Sequence, residues 1–202
     1  MREFGIFGSN IGKILFIWGM ADFVILFLLG VTEGNYGLSF YVVVIPIIYV
    51  YLYLLEPRPY LPTILFLVII EETIVYYIGG GLHGEATSLV EDYVRAIPIF
   101  ITMAYLWLKY MRKYNYRDYE ILVMAGLHGF FFEIILSGII LSPLLLMIFG
   151  GTPFVLYGLL VLIPKRPRGD KDIGAVKKMV FWLMFLFVEI LVGIATYIVY
   201  PG

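Results

Sequence analysis

Cysteine is absent from the 202 residues, so the chain can form no disulfide, thiolate metal site or cysteine nucleophile. Charged residues are also scarce, at 14% against about 25% in a soluble domain. Hydrophobic residues reach 62%, where a soluble domain has about 45–50%. The net charge is −1, and no basic stripe indicates a nucleic-acid partner. The composition excludes an ordinary soluble domain and indicates that membrane lipids surround the chain.

The sequence consists largely of long apolar runs. Each run is close to the roughly 20 residues that a helix needs to span a bilayer. The pattern predicts an all-α fold, a polytopic transmembrane bundle of about seven helices that forms a single integral membrane domain over residues 1–202 in the cell membrane. The break at Ser142-Pro143 separates the fifth and sixth runs. The predicted segments are Ile11–Val31, Leu38–Leu55, Leu61–Gly79, Val94–Met111, Tyr119–Ile140, Leu141–Ile163 and Met179–Tyr200.

The basic residues predict the orientation. With seven helices and the N-terminus inside, thirteen of the fourteen Lys and Arg residues lie on the inner side, as the positive-inside rule requires. Only Arg95 lies outside, near Glu85, Glu91 and Asp92. The C-terminus is therefore expected outside.

Six ionisable residues lie inside the apolar runs: Asp22, Glu71, Glu72, His128, Glu133 and Glu189. A charged side chain at the bilayer centre costs roughly 2.5–3.5 kcal/mol on insertion scales, so such residues are functional candidates. The five carboxylates follow the inner ends of their helices by about 9–14 residues, or roughly 14–21 Å at 1.5 Å per residue. We therefore expect them to share one level near the membrane centre.

Helix periodicity assigns faces to these groups. Ala125, Gly129, Glu133 and Ser137 repeat every four residues, which favours close packing of one helix against another. Glu72 shares a polar side with Thr73 and Tyr76, and Glu189 shares a face with Gly193. We expect Glu72, Glu133 and Glu189 to face the bundle interior, with Asp22, Tyr76 and Glu189 as supporting polar groups.

The candidate chemistry is acid–base catalysis by Glu71, Glu72, His128 and Glu133. Low dielectric and a second carboxylate both favour the protonated form of a carboxyl group, so a proton-sharing pair could activate water near neutral pH. The alternative is structural: the same groups hydrogen-bond to neighbours and hold helices together.

A cofactor is not required by this pattern, and a divalent metal is left open. His128 and Glu133 are five residues apart and diverge by about 140° on a regular helix, so they would need a π-bulge at Gly129 to bind one ion. The glycine-rich loop Gly79–Glu85 places His83 and Glu85 at the expected outer mouth, where the alternative is a solvated turn.

Glu71-Glu72 followed by an intramembrane His128 resembles the intramembrane CAAX-protease and bacteriocin-processing family. That resemblance implies a glutamate-activated water that attacks a peptide bond. The stretch from Glu71 to Tyr77 also resembles the Glu-Glu-aromatic motif of small seven-helix lycopene cyclases, in which carboxyl groups would protonate a polyene.

Three function classes stay open. The first is an intramembrane enzyme that acts on a membrane-embedded or lipid-soluble substrate, with a CAAX-protease-like hydrolase as its leading form. The second is a transporter or channel in which carboxylates carry a proton or cation. The third is a scaffold.

Overall fold

The computed structural model describes residues 5–55, 59–78, 88–135, 141–164 and 167–199. Within these ranges the chain is helical, and the only β pairing is one isolated bridge between Tyr114 and Lys171. A short 3-10 turn at Gly5–Gly8 precedes the first helix. The helices are α1 Asn10–Thr32, α2 Tyr36–Leu55, α3 Tyr60–Ile78, α4 Leu89–Lys113, α5 Asp118–Gly129, α6 Pro143–Phe149, α7 Thr152–Leu162 and α8 Ala175–Val199.

Five helical stretches are long and apolar enough to cross a membrane: α1, α2, α3, α8 and the joined stretch Pro143–Leu162. At 25 residues α4 is also long enough, but it carries acidic residues in its first turn and basic residues in its last. The all-α class and the seven helical segments are confirmed for the part of the chain described, with α6 and α7 together forming the sixth segment.

Serine side chains begin three of the helices. Ser9, Ser88 and Ser142 each accept a hydrogen bond from the backbone amide three residues later, which satisfies one of the free N–H groups of a helix start. Pro143 follows Ser142 at the first helical position, where its missing N–H costs nothing. The predicted break at Ser142-Pro143 is therefore confirmed as a helix start.

Two predicted segments differ from the structure. Leu141–Ile163 was expected as one helix, but it is interrupted at Gly150-Gly151, and α7 restarts with Pro153 in its first turn. Both glycines keep right-handed helical backbone angles, but Pro153 has no N–H to donate to the carbonyl four residues earlier, so the helical ladder is interrupted there. The fifth segment changes from α-helix to π-helix at Phe130–Ile135, immediately after Gly129.

Backbone contacts divide the chain into two compact units, each made from two stretches. Unit 1 comprises Met1–Pro57 and Arg117–Ile163, and unit 2 comprises Arg58–Tyr116 and Pro164–Gly202. Unit 1 therefore contains α1, α2, α5, α6 and α7, and unit 2 contains α3, α4 and α8.

Glycines allow the helices of unit 1 to approach closely. The most extensive pairing is between α5 and α7. There Gly126 lies under the ring of Phe154, Gly129 under the ring of Tyr157, and Gly158 against Leu122. The small stripe predicted on the fifth segment is thus a packing surface at Gly129 and at the fully buried Ala125.

In unit 2, α4 contacts both α3 and α8. Near the end of α4, Trp107 and Tyr110 pack edge-on against Phe185 of α8, with ring centroids 5.5 and 4.8 Å apart. Further along the pair, Gly193 faces Ile99. The two helices are therefore antiparallel with a defined register.

Candidate functional site

The Glu71–Glu72 pair lies in the last two turns of α3, and both side chains are half-buried. The next residue fixes this part of α3 against α4. The Thr73 hydroxyl donates to the Ile69 carbonyl and also hydrogen-bonds the Tyr93 hydroxyl. A threonine has one hydroxyl proton, so Tyr93 is the donor to Thr73. This chain of hydrogen bonds holds the carboxyl pair beside the first turns of α4.

The first turns of α4 bring three further charged groups to the same end of unit 2. Glu91 and Asp92 are buried, with Glu91 1% exposed. Glu91 pairs with Arg95 one turn later, with 2.5 Å between Oε1 and Nη2. The guanidinium carbon of Arg95 also lies 5.9 Å from the ring centroid of Tyr197 on α8, a cation–π distance.

We call this region the acidic end of unit 2, defined by Glu71, Glu72, Glu91, Asp92 and Arg95. The Glu71–Glu72 pair lies on α3 at the level of Tyr93, whereas the Glu91–Arg95 pair is on the side of α4 that faces Tyr197 of α8. Tyr76, predicted as a supporting group, is half-buried near this end and packs edge-on against Tyr77.

Glu189 belongs to a different level of unit 2. It is 1% exposed, and it stands one turn from Phe185 and one turn from Gly193. Because Phe185 contacts Trp107 and Gly193 faces Ile99, Glu189 lies opposite Met103 of α4. Ten residues of α4, or about 15 Å, separate Met103 from the Tyr93 level. The expectation that Glu72 and Glu189 share one level is therefore wrong, because register places them more than two turns apart. The buried position expected for Glu189 is confirmed.

Asp22 of unit 1 has a structural partner. Its carboxylate, 1% exposed, accepts a hydrogen bond of 2.7 Å from the backbone N–H of Gly151, where the sixth segment is broken. It thus satisfies the backbone amide at the N-cap of α7. One turn earlier on α1, the Trp18 indole donates to the Met147 carbonyl of α6, 3.2 Å away. Side chains of α1 therefore hydrogen-bond the backbone on both sides of the break.

His128 and Glu133, both in unit 1, occupy different environments. His128 is 0% exposed, whereas Glu133 is exposed and accepts a 2.7 Å hydrogen bond from the Tyr157 hydroxyl. The Glu133 side chain therefore faces the neighbouring helix α7. The π-helical segment begins next to Gly129, where a bulge was considered, and it turns Glu133 toward Tyr157 on α7.

Sequence reasoning missed two sets of polar partners. The spacing of Glu91 and Arg95 at i and i+4 was the available signal for their ion pair. The second set is Tyr53, whose hydroxyl donates to the Asp118 carboxylate across 2.7 Å at the buried start of α5. Their separation of 65 residues left no local signal.

His83 and Glu85 of the glycine-rich loop lie outside the described residues. Within the ranges given above, no group of three or more His, Asp or Glu side chains could hold a metal ion.

No protein-family model, curated protein or solved structure matches this chain. The resemblance to the CAAX-protease family, carried by Glu71, Glu72 and His128, and the resemblance to lycopene cyclases, carried by the stretch from Glu71 to Tyr77, therefore stay predictions.

Proposed function

We propose that this protein is a multi-pass enzyme of the cell membrane, and that the acidic end of unit 2 is the catalytic site of a hydrolase. The observation that supports this most is the half-buried Glu71–Glu72 pair, held against α4 by the Thr73–Tyr93 hydrogen bond. The pair is partly accessible, so a proton can be exchanged there with a membrane-embedded substrate.

In the proposed reaction, the Glu72 carboxylate accepts a proton from a water molecule while the water oxygen bonds to the carbonyl carbon of the substrate. The same proton passes to the leaving oxygen or nitrogen as the bond from carbon to that atom breaks. One water is consumed, and a carboxylic acid and an alcohol or amine are released. Glu71 is the second carboxyl group that adjusts the proton affinity of the first.

The experiment is hydrolysis of p-nitrophenyl palmitate, a water-insoluble ester, by the full chain in proteoliposomes. Glu72→Gln keeps the shape and hydrogen bonding of the side chain but cannot exchange a proton, so we expect the rate to fall about 10²–10⁴-fold with an unchanged melting temperature. Glu33→Gln is the matched control, because Glu33 is an exposed residue at the end of α1. Hydrolysis at the native rate by Glu72→Gln would contradict the catalytic role of Glu72.

His128 remains a proposed acid–base group in unit 1, and His128→Ala separates its two interpretations in the same assay. Loss of activity at an unchanged melting temperature would support a chemical role. A lower melting temperature with activity retained would make His128 a packing residue, as its complete burial also allows.

A second candidate function is proton or cation transport, and the broken sixth segment favours it. Transporters place discontinuous helices near the bilayer midplane, with ionisable groups at the break. Here Asp22 bonds the first amide after the break at Gly150-Gly151. Proton flux in proteoliposomes, compared between the native chain and Asp22→Asn, distinguishes this candidate.

A further inference from the structure

An apolar groove of about 280 Å³ lies between α3 and α4 of unit 2. Its walls include Leu61, Leu65 and Val68 of α3, and Phe100, Ile101 and Ala104 of α4. No polar side chain lines it. Its volume is close to the lower end of the range for small-molecule sites, which begins at about 300 Å³. A groove of this kind has room for one narrow apolar group.

The groove points toward the acidic end of unit 2. On α3, Leu61, Leu65 and Val68 follow one helix face, and Glu72 continues that face one turn beyond Val68. On α4, Tyr93 lies two turns before Phe100 on the corresponding face. The Thr73–Tyr93 hydrogen bond therefore crosses between the helices just beyond the groove, at the level of Glu72.

The two hydroxyl groups at this crossing already have hydrogen-bond partners. The Tyr93 hydroxyl bonds the Thr73 hydroxyl, and the Thr73 hydroxyl bonds the Ile69 carbonyl. Glu71 and Glu72, both half-buried, lie at the same level of α3. An apolar chain that enters at Leu61 and Ala104 would thus end beside the Glu72 carboxyl group. A carboxyl group at this position opposes a phosphate or carboxylate at that end of the ligand.

We propose that the α3–α4 groove binds the single hydrocarbon chain of an amphiphile with an uncharged polar head, such as a monoacyl ester, and places that head at Glu72. The inference rests on the proposed function, because it names the substrate class of the same site. An apolar wall selects a hydrocarbon chain over a polar peptide strand, whose backbone groups would be left without partners in the groove.

The test is photolabelling of the full chain in detergent micelles with a monoacylglycerol that carries a diazirine in its C16 chain. We expect labelled peptides to map to Leu65, Val68, Phe100 and Ile101. Ile101 lines the groove and is 44% exposed, so the larger side chain of Ile101→Trp should be accommodated without unfolding the protein. The added volume should reduce labelling of the groove at least fivefold. The matched control is Leu191→Trp on α8, 49% exposed and outside the groove, which should label as the native chain does.

Competition tests the head group. Unlabelled monoacylglycerol should displace the probe, while palmitate, which has an anionic head, should displace it at least tenfold less well. Equal displacement by palmitate would overturn the assignment of an uncharged head. Labelling that is spread over exposed residues such as Phe66 and Val180, or that is unchanged in Ile101→Trp, would overturn the groove as the binding site.

The two proposals fail in different ways. Glu72→Gln should lose hydrolysis and keep groove labelling, while Ile101→Trp should lose both at a native melting temperature. If Glu72→Gln keeps hydrolysis while Ile101→Trp loses labelling, the groove binds the chain and the catalytic assignment is wrong. If Ile101→Trp also unfolds, Phe100→Ala provides the second test, because a widened groove should change the preferred chain length of the probe.

Discussion

At the scale of single residues, acidic side chains inside apolar helices have unlike roles in this protein. Asp22 bonds a free backbone amide, Glu133 accepts from a tyrosine hydroxyl, and Glu91 pairs with an arginine. Glu71 and Glu72 are half-buried on α3. Local sequence does not distinguish these roles, which follow from the partner that each carboxyl group contacts.

Asp22 gives the sharpest prediction at this scale. Asp22→Ala removes the acceptor for the buried Gly151 amide, and we expect a loss of about 1–3 kcal/mol in the free energy of unfolding. Asp22→Asn keeps an acceptor oxygen and should lose clearly less. Thermal unfolding in detergent measures both variants, and an Asp22→Ala protein as stable as the native chain would contradict the capping role.

The same variants test transport. An asparagine cannot carry a proton, so a proton pathway through Asp22 would make Asp22→Asn a folded protein without flux in pH-jump measurements on proteoliposomes. Flux equal to that of the native chain would remove Asp22 from any proton pathway and leave its structural role.

At the scale of helices, close approach at glycines determines how unit 1 packs. Gly19 of α1 faces the Gly151 carbonyl at the break in the sixth segment, and a Cβ on Gly19 would also meet Val155 Cγ2 at 2.5 Å. The backbone of Gly151 cannot move away without disturbing its hydrogen bond to Asp22. The break and the small residue that faces it therefore act as one packing feature.

Gly19→Ala should consequently destabilise the protein by about 1–3 kcal/mol through overpacking. Gly8→Ala is the matched control, since a Cβ at Gly8 meets nothing within 4 Å. Melting temperatures of the two variants in one detergent are the measurement. If both variants have the melting temperature of the native chain, α1 and α7 do not make the close contact described.

At the scale of the whole molecule, the seven helical segments and the distribution of basic residues predict opposite sides for the two termini. Reporter fusions after Lys113 and Lys171 should indicate the cytoplasmic side, and a fusion at Gly202 the opposite side. The reason is that these two lysines belong to the basic clusters, which are retained inside. A cytoplasmic signal from Gly202 would refute the seven-helix topology.

The two units also bear on the function class. In the described residues, unit 1 contains five α-helices and unit 2 contains three, so the units are not equivalent repeats. Many transporters are built from repeats of matching topology. Transport therefore stays the second proposal, tested by the flux of the Asp22 variants.

The sequence by itself determined the helical class, the number of segments and several helix starts. These features are local: the length of an apolar run, a serine before a proline and a row of small residues act within a few turns. The same local information placed Glu71 and Glu72 on one helix and identified Ala125 and Gly129 as packing residues.

Only the tertiary structure decided which partners the polar groups have. Asp22 meets an amide 129 residues away, and Tyr53 meets a carboxylate 65 residues away. The level of Glu189 depends on the register between α4 and α8, and the hydrogen bond of Glu133 to Tyr157 depends on a π-helical turn beside Gly129. Rotation and register of a helix are set by side-chain packing with its neighbours, and a shift of one turn changes every partner while the hydrophobic pattern of the sequence stays the same.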